Sequence, residues 1–349
     1  MTKQHGTARS IGLRLLSSAA GLLVALLTAE AGLRVAGYSP AHVNPLKTFH
    51  VMDPVIGHRG RPGADARFRR PEFDIRIMHD DRGFRLPERP PDPARCTRRV
   101  LVYGDSFIWG WGVEQGELMT DRLSRLRPDL CVYNFGINAT GTANQFTLFD
   151  TEHRDLVGAG DIVVVVFFSN DFADNVSGWS LRGRLVDGRV ETVLTSKGLG
   201  SPAKQWVKNH SYLFNLGAYA WDSWHLRRQQ RRDEARASSA LDYGADSPEW
   251  IVTGHYLEAF RDAVEARGGT LLVTMVPTDL PADSDVYRSA LRRLTDSLGI
   301  RFYDVADEFR AESMNNGTVL RYPVDGHWTA AGHALMARLL AGALPAPAR

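Results

Sequence analysis

A chain of 349 residues can bury a substantial core in one large domain or two smaller ones. Its 44% hydrophobic and 23% charged content is that of a globular protein, not of a disordered or low-complexity chain. A formal net charge of +2 gives no basis for a nucleic-acid partner.

The N-terminus departs from the globular pattern. Lys3, Arg9 and Arg14 precede residues 15–29, which carry no charge, and Glu30 and Arg34 bracket a further weakly apolar turn. Such a run falls short of the ~20 residues of a comfortable helical span. Extended across Glu30, with Arg14 and Arg34 snorkelling at the two ends, it reaches the required length. The basic flank keeps that end in the cytoplasm and sends the rest outward. Residues 1–37 are therefore expected to be a membrane anchor, with the bulk of the chain periplasmic or extracellular. Two alternatives stay open: a cleaved signal peptide with Ala29-Glu30-Ala31 as its A-x-A site, which gives a secreted product, and a buried core helix.

Residues 38–97 hold nine of the seventeen prolines, many arginines and few long apolar runs, the composition of an irregular connector lying over a domain surface. Regular patterning begins at Arg98. Residues 100–103, 131–135, 161–168, 270–276 and 300–305 read as strands, the third apolar on both faces. Helical segments are expected around 118–126, 145–156, 256–266 and 286–298, and a closing helix over 329–344 with Thr329 as its N-cap. Strands alternating with helices predict an α/β domain over 98–349, a flavodoxin-like three-layer α/β/α arrangement on a five-stranded parallel sheet.

Residues 176–250 interrupt this alternation. Asp187-Gly188 is a hairpin signature. A helical stretch over 211–234 carries Tyr212, Phe214, Tyr219, Trp221 and Trp224 and ends in Arg227, Arg228, Arg231 and Arg232. It suits a helix on a membrane surface, a helix packed over the site, or a solvated basic helix end. Cys96 and Cys131, the only cysteines, each precede a strand, so parallel neighbouring strands would let them bridge in an exported protein; two unpaired small residues are the alternative.

Strand one breaks abruptly into Gly104-Asp105-Ser106, a tight turn with a hydroxyl at its tip. If a helix follows, Ser106 lies at its positive end and can act as a nucleophile once a histidine takes its proton. Strand two runs into Asn134-Phe135-Gly136, and strand three into Ser169-Asn170-Asp171. In open parallel sheets the carboxyl ends of strands face the ligand crevice, so Ser106, Gly136 and Asn170 converge there. His327, in Asp325-Gly326-His327-Trp328, precedes the closing helix and approaches from the side.

In order, these blocks resemble the four motifs of the SGNH (GDSL-type) hydrolase family, over residues 98–343 without the insertion. The resemblance implies Ser106 as nucleophile, Gly136 and Asn170 as oxyanion-hole positions, and Asp325 and His327 as acid and base. It departs from the common pattern twice. The last block is one residue shorter than Asp-x-x-His, a form similar to the alginate-acetylation branch, and Phe168 replaces a glycine before Asn170. The implied chemistry is that of an esterase or O-acyltransferase working through an acyl-serine on carbohydrate or lipid esters, with no metal or other cofactor. A non-catalytic carbohydrate-binding scaffold and a secreted lipase with 176–250 as its lid are the competing readings. Asp105, Asp171 and Asp174 read as turn or cap residues, His333 as structural, Asn138 and Asn144 as loop residues, and Trp109 and Trp111 as packing or pocket walls.

Overall fold

The computed structural model describes residues 4–38, 48–70, 72–195, 207, 210–217, 221, 244–277 and 281–346. The chain divides into two compact units, Pro45–Gly198 with Arg232–Arg349, and Met1–Asn44 with Leu199–Arg231.

The larger unit begins with two antiparallel hairpins, β1 (His50–Asp53) with β2 (Gly57–Gly60), and β3 (Asp65–Arg70) with β4 (Phe73–Met78). They replace the irregular connector that the proline content suggested. Pro54 marks the turn of the first hairpin and Pro62 the link to the second, and β3 and β4 alternate in burial instead of running apolar. Phe68, Phe73, Ile75 and Ile77 point inward and pack with Phe49 and Trp109 as a separate apolar cluster. Outward, Arg67 and Arg69 pair with Asp74, and Arg76 with Asp65. The layer closes where two backbones touch: a Cβ at Gly60 would sit 1.8 Å from the Gly83 carbonyl oxygen, so only glycine fits.

β5 (Arg98–Gly104), β6 (Leu130–Asn134), β7 (Ile162–Phe167), β10 (Thr270–Met275) and β11 (Arg301–Tyr303) form the expected parallel sheet, in the order β6-β5-β7-β10-β11. Counted within the sheet this order is 2-1-3-4-5, the flavodoxin-like arrangement. Register is fixed by near-continuous burial: Val100 opposes Val132 on one side and Ile162 on the other, and every residue of β7 is buried. Helices Met119–Leu126 and Ala330–Ala343 pack together, as do Thr142–Leu148, Asn170–Ser177 and Pro248–Glu265, giving the two helical layers that right-handed crossovers require. The expected 145–156 helix is Thr142–Leu148 continued by a π-helical segment, Phe149–His153, and a 3-10 turn, Arg154–Leu156, and Ala306–Asn316 is a helix the apolar pattern did not reveal.

Cys96 and Cys131 are disulfide-bonded, with Cα atoms 5.4 Å apart, at the amino edge of the paired β5 and β6. The hairpin in the insertion is β8 (Leu181–Val186) with β9 (Arg189–Leu194), turned by Asp187 and Gly188 at φ 48° and 74°.

In the smaller unit a single helix, Gln4–Val35, includes an apolar stretch, Leu16–Val35, none of it buried. Glu30 on that helix accepts hydrogen bonds from the Tyr212 and Leu213 backbone N–H groups, both at 2.9 Å, and from Ser211 Oγ at 3.1 Å. Arg34 pairs with Glu30, donates to the His210 carbonyl and lies 4.2 Å from the Tyr212 ring centroid. Of the 211–234 stretch, residues 211–217 and Trp221 are described, and 212–217 are helical. The arginine cluster at 227–232 lies outside the described residues.

Candidate active site

β5 ends at Gly104, and the chain turns directly into the short helix Ser106–Trp109. Asp105 is its N-cap, accepting from the Phe107 N–H at 3.0 Å, which is the turn role expected of it. At the other end Gly110, at φ 86°, stops the helix. Arg85, a buried guanidinium from the segment after β4, donates to the carbonyls of Trp109, Gly110 and Val113 there. Both ends of the helix that carries Ser106 are thus tied down.

Ser106 Oγ lies 2.8 Å from His327 Nε2, and His327 Nδ1 lies 2.6 Å from Asp325 Oδ1. The carboxylate can only accept, so Nδ1 carries the proton and Nε2 presents its lone pair to the serine hydroxyl. The short Asp-x-His spacing works because Gly326 adopts φ 83° and reverses the chain. Its N–H donates to the Tyr322 carbonyl, and the Tyr322 N–H to that of His327. Asp325 and His327 are thereby brought onto one side of the turn. Their neighbour Trp328 is fully buried and belongs to the core.

Two groups hold this loop: Trp111, which the sequence marked as packing or a pocket wall, and Glu72, which it did not mark. Trp111 Nε1 donates to Asp325 Oδ2 at 3.0 Å, and its ring stacks on the His327 imidazole with centroids 5.0 Å apart. The Phe107 ring lies 4.9 Å from the imidazole centroid. Glu72, following β3, accepts the Val324 N–H at 3.0 Å and the Asp325 N–H at 2.6 Å. No motif announces Glu72; its role comes from the hairpin that brings it to a loop 252 residues away. Burial alone would raise the Asp325 pKa. The hydrogen bond and charge of His327, the Trp111 N–H and the positive Arg70 outweigh it and hold the carboxyl below its ordinary value.

Asn170 opens the helix Asn170–Ser177, and its Nδ2 donates to Asp174 Oδ2 at 2.9 Å. Gly136 departs from the oxyanion-hole expectation. Its N–H donates to Asn134 Oδ1 at 2.9 Å, and a Cβ there would sit 2.4 Å from Trp109 N. What the glycine provides is close passage of the loop over the Ser106 helix. Three residues on, Ala139 sits at φ 61°, and the preceding Asn138 carbonyl accepts from the buried His58 Nε2 at 2.8 Å. Asn144 donates to the Ile56 carbonyl, Trp109 Nε1 to His79, and His333 accepts the Met119 N–H, so all three have structural roles. Among the described residues no group of three or more His, Cys, Asp or Glu side chains is arranged to hold a metal ion.

No family model matches this sequence, and no curated protein does. Among solved structures, a member of the lipolytic G-D-S-L family from Veillonella parvula is 10% identical with a TM-score of 0.42, over 70% of this chain and 96% of that one. The acetyl xylan esterase AlAXEase is 14% identical with a TM-score of 0.41, over 71% and 100%. The esterase EstA from a Pseudoalteromonas species is 11% identical with a TM-score of 0.39, over 70% and 94%.

Proposed function

We propose that this chain is an SGNH-type serine esterase or O-acyltransferase acting on acyl esters of envelope glycans or lipids through an acyl-Ser106 intermediate. The observation that carries the reading is the continuous relay from Ser106 Oγ through His327 to Asp325, at 2.8 and 2.6 Å, set at the carboxyl edge of a parallel sheet. His327 Nε2 takes the hydroxyl proton as Oγ attacks the ester carbonyl. Asp325 keeps the imidazole in the required tautomer and stabilises its cation. The tetrahedral oxyanion is met by the Ser106 N–H, at the first position of its helix, and by the Asn170 amide. His327 returns its proton to the leaving alcohol, and the acyl-serine is then released to water in hydrolysis or to a sugar hydroxyl in transfer. A scaffold that only binds has no use for a histidine poised on a serine hydroxyl.

The same reading places the domain outside the cytoplasm on a retained anchor. Glu30 supports retention: cleavage after Ala31 would remove the carboxylate and strip the Tyr212 and Leu213 N–H groups of their acceptor. Lys3, Arg9 and Arg14 keep the N-terminal flank cytoplasmic, and the Cys96–Cys131 disulfide fits an oxidising compartment.

The deciding experiment is fluorophosphonate labelling of the full-length protein, followed by turnover of short-chain aryl esters with and without an oligosaccharide acceptor. Labelling that maps to Ser106 is expected. An unlabelled, folded protein refutes the nucleophile, and acceptor-dependent acyl transfer separates transferase from hydrolase.

A further inference from the structure

An asparagine amide has a donor end and an acceptor end of nearly the same shape, and only its contacts decide which end faces a ligand. Asn170 can stabilise an oxyanion through Nδ2, whereas its Oδ1 in the same place would repel one. The residue that makes this choice is four positions along the same helix. Asp174 Oδ2 lies 2.9 Å from Asn170 Nδ2, while Asn170 Oδ1 is buried with no hydrogen-bond partner among the described residues. An ionised carboxylate only accepts, so it binds the N–H end and rejects the carbonyl end. The nitrogen keeps its second N–H for another acceptor.

We propose that Asp174 is the positioning residue that turns the Asn170 amide donor-first toward the reacting oxygen. The inference rests on the reading of Ser106 as an acylating nucleophile.

The helix that carries both residues is itself anchored. A Cβ at Gly141 would lie 3.1 Å from Asp174 Cβ, so the loop after β6 runs directly against this side chain. One residue further, Asn175 accepts the Ala143 N–H at 2.9 Å and donates to Thr253 Oγ1 at 2.9 Å, tying the helix to its neighbours. The titratable groups around Asp174 are Asp105 at the end of β5 and Asp171 on its own helix. Tyr287, from the helix Pro281–Ser297, and His327 stand beyond these two carboxyls.

This acidic setting makes the orientation sensitive to pH. Burial, then the nearby Asp105 charge, raises Asp174 to about 6 against the opposing hydrogen bond from Asn170. The carboxylate is therefore lost as pH falls through that range. A protonated Asp174 can donate to Oδ1, and the preference for the donor-first orientation disappears. The acid side of the kcat profile should then include the protonation of Asp174.

The test is kcat and KM against pH for the full-length wild type, Asp174→Ala and Asp174→Asn on a short-chain aryl ester, with active sites counted by fluorophosphonate. Asp174→Ala should lose ~10²-fold in kcat with little change in KM, the loss typical of one oxyanion donor. Asp174→Asn, whose Oδ1 can accept the same N–H, should recover most of that loss and show an acid limb with one proton fewer than the wild type's. Undiminished kcat in Asp174→Ala, or an acid limb in Asp174→Asn as steep as the wild type's, overturns the assignment. Should the alanine variant not fold, the slope of the asparagine variant still decides. A folded wild type that neither labels nor turns over ester is a different failure: it removes the acylation reading, and this inference with it.

Discussion

The central sheet and the hairpin layer over residues 48–86 reach the same site by opposite physical routes. β7 is buried along its whole length, and Val100 to Tyr103 of β5 are fully buried, so hydrophobic burial from both faces fixes that sheet. The hairpins bury one face only. They are held to the rest of the unit by buried polar contacts, His58 to the Asn138 carbonyl, Trp109 Nε1 to His79 and Arg85 to three carbonyls, and by the exposed Arg82 on the buried His153. The sheet supplies the position of Ser106 and Asn170, and the hairpin layer holds the loops that complete the relay. A variant or a change of conditions that strikes one layer should therefore leave a signature different from one that strikes the other.

The largest effect belongs to the sheet edge. Ser106→Ala and His327→Ala should each lower turnover by at least ~10⁴-fold, since the members of such a relay act as a unit. The Ser106 variant should melt close to the wild type, because its hydroxyl makes no packing contact the fold depends on and its partners are the polar groups of His327 and Asp105. Turnover within tenfold of wild type in a verified Ser106→Ala preparation would move the nucleophile elsewhere.

Next comes the far edge of the same sheet. The Cys96–Cys131 bridge closes a loop with a sequence separation of 35, and its loss should destabilise by about 3–4 kcal/mol on loop entropy. Urea melts of Cys131→Ser against wild type measure this. Site geometry should survive, because the bridge lies at the amino edge of β5 and the site at the carboxyl edge. Equal loss of stability and of kcat at 25 °C would show the two edges to be coupled after all.

Acid should release the hairpin layer first. Burial holds His58 and His79 down to about 4, and burial with the charges of Arg82 and Arg59 holds His153 to about 3, against an ordinary 6.5. With its pKa lowered, the native state binds fewer protons than the unfolded chain. The stability these rings contribute is whole above 6.5 and drains as pH falls from there toward 4 and 3. At pH 5 the loss is on the order of 1–2 kcal/mol for each ring. Melting temperature should drop steeply between pH 7 and 5, with hydrogen exchange rising in β1–β4 before β7. A melting temperature flat across that range contradicts neutral buried imidazoles.

This contrast also sets what the sequence could reveal. Strands of the sheet were legible because burial on both faces leaves an unbroken apolar run, as in residues 162–167. Ser106, His327, Asp325 and Asn170 were legible because each follows or flanks such a run, in an order that resembles a known family. The hairpins were not, because β3 and β4 carry charge on alternate residues and their large apolar side chains, Phe68, Phe73, Ile75 and Ile77, are completed by aromatics from elsewhere in the chain, Phe49, Trp109, Trp111 and Tyr322. Gly136 misled for a related reason. A glycine after a strand offers either a bare N–H or room for another backbone, and here the Asn134 side chain takes the N–H while the Trp109 backbone needs the room. The Asn134 contact is a local turn two residues long, but the Trp109 contact joins segments remote in sequence, and no spacing encodes it.

The smallest expected effects test whether the hairpin layer serves catalysis at all. Glu72 binds two adjacent backbone N–H groups of the Asp325 loop, and Trp111 donates to the Asp325 oxygen that His327 does not use. Neither touches Ser106, so each acts through the tautomer and tilt of the imidazole. Trp111→Phe keeps the stacked ring and removes the N–H, and Glu72→Gln keeps the shape and removes the charge. A hydrogen bond to a charged group contributes about 1.5–3 kcal/mol, which bounds the loss at roughly 10- to 150-fold. Trp111→Phe should lie toward the upper part of that range because its partner is the relay carboxylate itself. Glu72→Gln should cost about tenfold or less, since its amide oxygen can still accept one of the two N–H groups. Both losses should appear in kcat with KM unchanged. Removing the N–H should also shift the acid limb of the kcat profile, because Asp325 loses a group that stabilises its charge. If Trp111→Phe and Glu72→Gln both leave kcat and its pH profile as in the wild type, the hairpins and Trp111 only support the fold, and the relay depends on the sheet edge alone.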